Sequence, residues 1–433
     1  MARLTKNAAA RPAVLSMSGL LAALSVEFAD ELVDGTKGAA LPLIRTGLGL
    51  SYSQIGLLAA LPLVVGGLLE LPFGLLAGDG SRRWRVVLGG GAVFTGSLVA
   101  AAAARSFIPL LIAFVIFFPA SGAFVSLTQS ALMDADPGRR AQHMARWTLA
   151  GSVGSVAGPL LLAAVAAAGG GWRTAYLLLA GAAAVACLGV ARCGPLAAGP
   201  PGPTAAGSAA GEIAAVPAGQ PESAKRDQPV SPAAEAESVM NIKDTTLRQA
   251  VSALRRGDVR RWLLLLEVAD LLLDVLSGFL ALYLVAAARA TPAQAAMGVA
   301  IRLAAGLAGD VLVIRLLERF GSLGLLRAGA AAAAVLYPAF LVAPGLGPKL
   351  ALLAALSVAT APWYPVIQAE LYHSLAGRSG IAVSLTSAAG LAGGLGPLAV
   401  GLLAQRFGLA WAVTSLAIAP AVVLIATPRK NRR

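Results

Sequence analysis

The sequence predicts an all-α membrane protein of twelve transmembrane helices, arranged as two pseudo-symmetric six-helix bundles. Three observations predict it. Of 433 residues, 58% are hydrophobic and only 13% charged, with a mean hydropathy of +0.77, whereas a soluble domain carries about 25% charged residues. Apolar runs of roughly 20 residues, the length that crosses a bilayer as a helix, recur along the chain. The third observation is internal repetition. Glu27, Asp30 and Asp34 return as Glu267, Asp270 and Asp274, each 240 residues later. Gln54, Gly66 and Glu70 return as Gln294, Gly306 and Asp310 at the same offset. Gln129 and Gly138-Arg139 return as Gln368 and Gly377-Arg378 at an offset of 239, and Gly158-Pro159 is answered by Gly396-Pro397.

The twelve expected spans are 14–45, 54–77, 86–104, 107–133, 145–168, 173–193, 262–287, 293–317, 325–343, 349–373, 380–403 and 408–427. The first is long and is expected to bend near Gly35, Gly38 and Pro42, since such breakers are tolerated where backbone lines a cavity. Residues 1–193 form the first bundle and 262–433 the second. Between them, 194–239 is rich in Pro, Ala, Gly and Ser and reads as a disordered linker. Residues 241–262 read as a juxtamembrane helix, with Leu247, Val251 and Leu254 on one face and Arg255, Arg256, Arg260 and Arg261 nearby.

A net charge of +13 is of the sign that a nucleic-acid binder carries, but the basic residues sit in short segments between spans. About 26 of the 34 fall on one side, the positive-inside pattern. Both termini are therefore expected in the cytoplasm, in a cell inner membrane. Lys349 belongs to the sparse outer set and His143 to a cytoplasmic loop. Cys187 and Cys193 fit neither a disulfide framework nor a metal site. No phosphate-binding loop, metal cluster or nucleophile–base motif is visible, so neither an enzyme nor a cofactor is expected.

The acids carry the functional argument. At about 100° per residue, Glu27, Asp30, Glu31 and Asp34 share one face of the first span. A carboxylate near the bilayer centre costs roughly 2.5–3.5 kcal/mol even on a lenient scale, so such a face must be paired, protonated or wet. Lys37 lies three residues after Asp34, placed to pair with it. Arg302, in the eighth span, is the candidate partner for Asp270 or Asp274. Two matching acid faces point to a water-accessible cavity between the halves, where carboxyls take up and release protons. Gln129, Gln368, Trp363 and Tyr364 lie on the fourth and tenth spans and add amide and aromatic groups suited to an amphipathic or cationic substrate. Phe118 and Phe124 are expected in the core.

Gly74-Leu-Leu-Ala-Gly-Asp79-Gly-Ser-Arg82-Arg83 follows the second span. It resembles the loop signature of the major facilitator superfamily (MFS), with one extra residue before the acid and Gly80 in place of an Arg. The resemblance implies the 12-helix MFS fold and a latch that closes the cytoplasmic side. To this gate are assigned Glu70, Asp79, Arg82, Arg83 and Asp310, together with Gly158 and Pro159. Gly151-Ser-Val-Gly154-Ser-Val-Ala-Gly158-Pro159 in the fifth span resembles the signature of the family's drug–proton antiporters. The run Leu50-Ser-Tyr-Ser-Gln-Ile-Gly56, with the acidic first helix, resembles the fosmidomycin-resistance branch.

The reading is a monomeric secondary transporter, with protons, a small-molecule substrate and the lipid bilayer as its partners. It implies proton-coupled efflux of a small amphipathic or cationic compound by alternating access. The alternatives are a proton symporter for uptake of a sugar, organic acid or peptide, and a membrane sensor acting through the loop 194–261.

Overall fold

The computed structural model describes residues 16–76, 80–136, 139–194, 252–375, 385–386 and 389–428. Six helices precede the long connection: α1 (Met17–Leu48), α2 (Tyr52–Leu76), α3 (Gly80–Ala103), α4 (Phe107–Ala135), α5 (Arg140–Ala167) and α6 (Trp172–Cys193). Six follow: α7 (Gly257–Ala288), α8 (Pro292–Arg319), α9 (Ser322–Val342), α10 (Leu346–Ser374), α11 (Gly396–Phe407) and α12 (Leu409–Ala426). Among the described residues, ten helices are long and apolar enough to cross a membrane. The exceptions have plain causes. α1 carries its acids, and the expected start of α11 lies largely outside the described residues, as does most of 194–261.

The repeat is visible in how helices start. At α2, Gln54 Oε1 accepts the Ser51 N–H at 2.9 Å while Ser51 Oγ accepts the Gln54 N–H at 3.2 Å. At α8, Gln294 Oε1 accepts the Thr291 N–H at 2.9 Å and Thr291 Oγ1 accepts the Gln294 N–H at 3.2 Å. These reciprocal caps satisfy the same orphan donors in both halves, which explains the Gln pair found in the sequence.

Helix regularity departs from expectation. α1 runs unbroken past Gly35, Gly38 and Pro42. The irregular turn lies in its repeat partner, where residues Leu271–Val275 of α7 widen into a π turn. α10 is interrupted between Thr360 and Trp363, and α12 between Ser415 and Ile418.

Inside the first half, α1 lies against α4, α5 and α6. The α1–α5 seam is built on small residues. A Cβ on Gly158 would strike the Leu32 carbonyl, one on Gly154 would lie 2.5 Å from the Phe28 carbonyl, and one on Gly35 would strike the Ser155 carbonyl. Side chains there would push the helices apart. Gly158 and Pro159 therefore lie in this mid-helix seam.

The halves meet through α1 with α7 and α8, α2 with α11, and α5 with α8. Several of these contacts lie towards the end far from the two termini. Gly38 faces the Ser277 carbonyl, and Gly56 is packed against Pro397 and Gly401. The Tyr52 N–H donates to Gln405 Oε1 at 3.0 Å. Below this closure the halves enclose a cavity.

Candidate transport cavity

The cavity holds about 710 Å³, within the range that takes a small molecule. Its wall comes from both halves: Glu31, Asp34 and Lys37 of α1, Ser152 and Ser155 of α5, Asp274 and Ser277 of α7, Arg302 and Asp310 of α8, and Tyr364 of α10. Leu63, Phe118, Leu303 and Leu307 supply apolar surface.

The four carboxylates of α1 splay rather than cluster, because a helical face about 60° to either side reaches different neighbours. Glu27 takes a hydrogen bond from the buried Trp147 of α5. Asp30 Oδ1 accepts from Ser121 Oγ of α4 at 2.6 Å. Glu31 Oε2 accepts from Ser155 Oγ of α5 at 2.5 Å. Asp34 pairs with Lys37 across one helical turn, as expected. Three of the four acids are thus held by neutral donors, which satisfy an oxygen without cancelling its charge. Lys37 also sits over the Phe118 ring, 4.6 Å from its centroid, so Phe118 is a wall residue and not core. Phe124 is core, as expected.

α7 repeats part of this pattern. Asp274 lines the cavity at the position matching Asp34. Glu267 lies directly over Gly393, three residues before α11, where a Cβ would collide with its carboxylate. Glu27 has the same relation to Gly151 of α5, where a Cβ would stand 2.6 Å from Oε1. Each half therefore seats its first acid on a glycine.

Arg302 meets its expectation in part. It is nearly buried, at 6% exposed, and lies within electrostatic reach of Asp274, but among the described residues it hydrogen-bonds no acid. Its Nη2 donates to the Leu272 carbonyl at 2.6 Å and the Leu273 carbonyl at 2.8 Å, and its Nε donates to Ser277 Oγ at 2.7 Å. The wide turn in α7 supplies these acceptors, and the sequence did not announce it.

Of the expected cavity residues, Asp34, Asp274, Arg302 and Tyr364 line the wall. Glu27, Asp30, Asp270, Gln129, Gln368 and Trp363 are not among its lining residues. Trp363 is fully buried beside Gly329 of α9, because it opens the second segment of α10 and faces into the bundle. Gln129 lies near Met144, its Nε2 3.7 Å from the sulfur. Glu31 joins the wall by its bond across to α5, a contact between helices that no spacing reveals. Asp310, assigned to the gate, lines the cavity.

At the opposite end of the gate assignment, Arg83 Nη1 pairs with Asp134 Oδ2 of α4 at 2.8 Å. The side chains of Glu70, Asp79 and Arg82 lie outside the described residues. His143 is not in a loop: it lies within α5, is 3% exposed, and stands 3.4 Å from Asp136. Lys349 is likewise buried, donating to the Phe340 and Leu341 carbonyls at 2.7 and 2.8 Å.

Two helical bundles around a polar cavity, buried in a shell of apolar spans, are the plan of a membrane transporter and not of an enzyme. The chain belongs to the Major Facilitator Superfamily, whose model matches residues 23–347. Among curated proteins, no sequence matches this chain. Solved structures share the fold at low identity. The nucleoside transporter NupG is 12% identical, with a TM-score of 0.67 over 95% of this chain and 98% of that one. The D-xylose-proton symporter is 15% identical, with a TM-score of 0.65 over 96% and 99%. A bacterial homolog of the human lysosomal transporter Spinster, in an inward-facing and unoccupied conformation, is 16% identical, with a TM-score of 0.65 over 94% and 96%.

Proposed function

We propose that this transporter is a proton-coupled exporter of small amphipathic, cationic compounds. It would work as a monomer in a cell inner membrane, with both termini in the cytoplasm. One observation carries the reading. Among the described residues, the cavity wall bears Glu31, Asp34, Asp274 and Asp310 against Lys37 and Arg302. Of the two cations, Lys37 is engaged with Asp34 and Arg302 is committed to backbone carbonyls. A cavity with surplus carboxylate, apolar walls and the Phe118 and Tyr364 rings favours an organic cation.

Asp34 and Asp274 are the proposed shared sites for proton and substrate. They occupy matching positions in the two halves, so a substrate seated between them touches both bodies that must rock apart. Proton and cation compete for the same oxygens, which couples their opposite movements. Glu27, Asp30 and Asp270, which are not among the lining residues, are further proton-holding groups. Export is supported by the resemblance of the 151–159 segment to drug–proton antiporters. The closure through Gly56, Gly401 and Gln405 at the end far from the termini supports a cavity that faces the cytoplasm in this state.

The test is ethidium transport in everted membrane vesicles, driven by an imposed pH gradient. The wild type is expected to accumulate the dye, and Asp34→Asn and Asp274→Asn to lose most of the proton-driven flux. Unchanged flux in both variants would remove these acids from coupling. Accumulation only in right-side-out vesicles would reverse the direction to uptake.

A further inference from the structure

Arg302 is a buried charge that the transport reading counts only as unavailable to an acid, leaving open what its bonds do. In α7 the Leu276 N–H reaches back five residues to the Leu271 carbonyl. The Leu272 carbonyl therefore loses its regular helical partner, and Arg302 Nη2 takes it at 2.6 Å. The Leu273 carbonyl accepts both Arg302 Nη2, at 2.8 Å, and Ser277 Oγ, at 2.5 Å. Ser277 in turn accepts Arg302 Nε. One guanidinium thus spans two carbonyls and a hydroxyl around the widened turn. Unsatisfied carbonyls at this depth would be costly, and a planar fork meets several at once where an ammonium cannot.

Asp274 lies inside the same turn and projects into the cavity. Its repeat partner Asp34 sits in a regular helix. The two acids share a position in the repeat but not a backbone.

We propose that Arg302 is the positioning residue for Asp274. Its fork holds the widened turn of α7 that aims this carboxylate into the cavity, and ties that turn to α8. α8 also packs against α1 and α5 of the other half, so the tie links the aim of Asp274 to the surface along which the halves move. A regular α7 would change the angular position of residues within and beyond the turn by up to about 100°, and so re-aim Asp274. The inference shares with the export reading two observations, that Asp274 faces the cavity and that Arg302 bonds the α7 carbonyls, but not the substrate or the direction of transport.

Asp274 is surrounded by Asp34 and Lys37 of α1, Asp270 on its own helix, Arg302 of α8 and Tyr364 of α10. The test therefore separates Arg302's geometry from its charge, and it needs no substrate. The full chain is placed in lipid nanodiscs. The infrared carboxyl band lost in Asp274→Asn reports Asp274, and the one lost in Asp34→Asn reports Asp34. Arg302→Lys keeps the positive charge and loses the fork. It is expected to move the Asp274 titration midpoint by at least about half a pH unit while that of Asp34 stays put. Amide exchange across 272–278 is expected to rise at least roughly fivefold in the same variant. A wild-type midpoint for Asp274 would overturn the proposal. So would an equal shift at Asp34, the sign of general loosening. Ethidium flux in vesicles decides the export reading separately, so the two fail independently.

Discussion

Ser121 of α4 donates its hydroxyl to Asp30 of α1 at 2.6 Å, across two helices that the chain separates by 91 residues. A hydroxyl bonded to a carboxylate favours the ionised form, since the charged oxygen is the stronger acceptor. Ser121→Ala is therefore expected to cost about 1–2 kcal/mol when Asp30 is ionised, and less when it is protonated. Thermal unfolding in detergent should show a larger loss at pH 8 than at pH 5. An equal loss at both would mean that Ser121 contributes packing alone.

The α1–α5 seam gives a sharper test of packing. Gly158→Ala places a methyl group against the Leu32 carbonyl, the Thr36 N–H and the Thr36 hydroxyl. Backbone cannot yield locally, so the helices must separate, at a cost of about 1–3 kcal/mol. Gly89→Ala, which meets nothing within 4 Å, is the control and should stay within about 0.5 kcal/mol of the wild type. The readout is the unfolding temperature of the purified protein.

Competition between proton and cation fixes a sign for pH. Where one proton displaces one cation, apparent ethidium affinity falls about tenfold for each pH unit lost below the controlling group. Equilibrium binding across pH 5 to 9 should show this slope in the wild type. Asp34→Asn and Asp274→Asn should each flatten it. A slope unchanged in both would place the competing proton elsewhere.

Lys349 is expected to matter for stability and not for transport. Its ammonium holds the Phe340 and Leu341 carbonyls, beside the end of α9. Lys349→Met leaves both without that donor, and should cost about 1.5–3 kcal/mol. It lies off the cavity wall, so ethidium flux per folded molecule should match the wild type. A fall in flux without a fall in stability would refute the assignment.

Much of the fold was legible because bilayer thickness sets a length and repetition sets a pairing. Ten of the expected spans recur as single apolar stretches in the structure. The Gln54 and Gln294 pair, found by offset alone, turns out to perform the same cap in both halves. Lys37 with Asp34 was readable because three residues make one helical turn. Arg302 was read in part: it stands within electrostatic reach of Asp274, but the Leu272 carbonyl it bonds is left free only once α7 widens. His143 and Lys349 were misplaced for a related reason, because a charge near a span end looks wet until a neighbouring helix covers it.

By itself, then, the sequence determined ten of the apolar spans, the repeat that relates the two halves, and which helices carry the acids. Those follow from hydrophobicity and periodicity, which act within one helix. The tertiary structure decided which acids face the cavity, which donor holds each, and where the backbone breaks. Glu31 reaches the wall while Glu27 and Asp30 do not line it, because Ser155, Trp147 and Ser121 arrive from other helices at positions that only packing fixes.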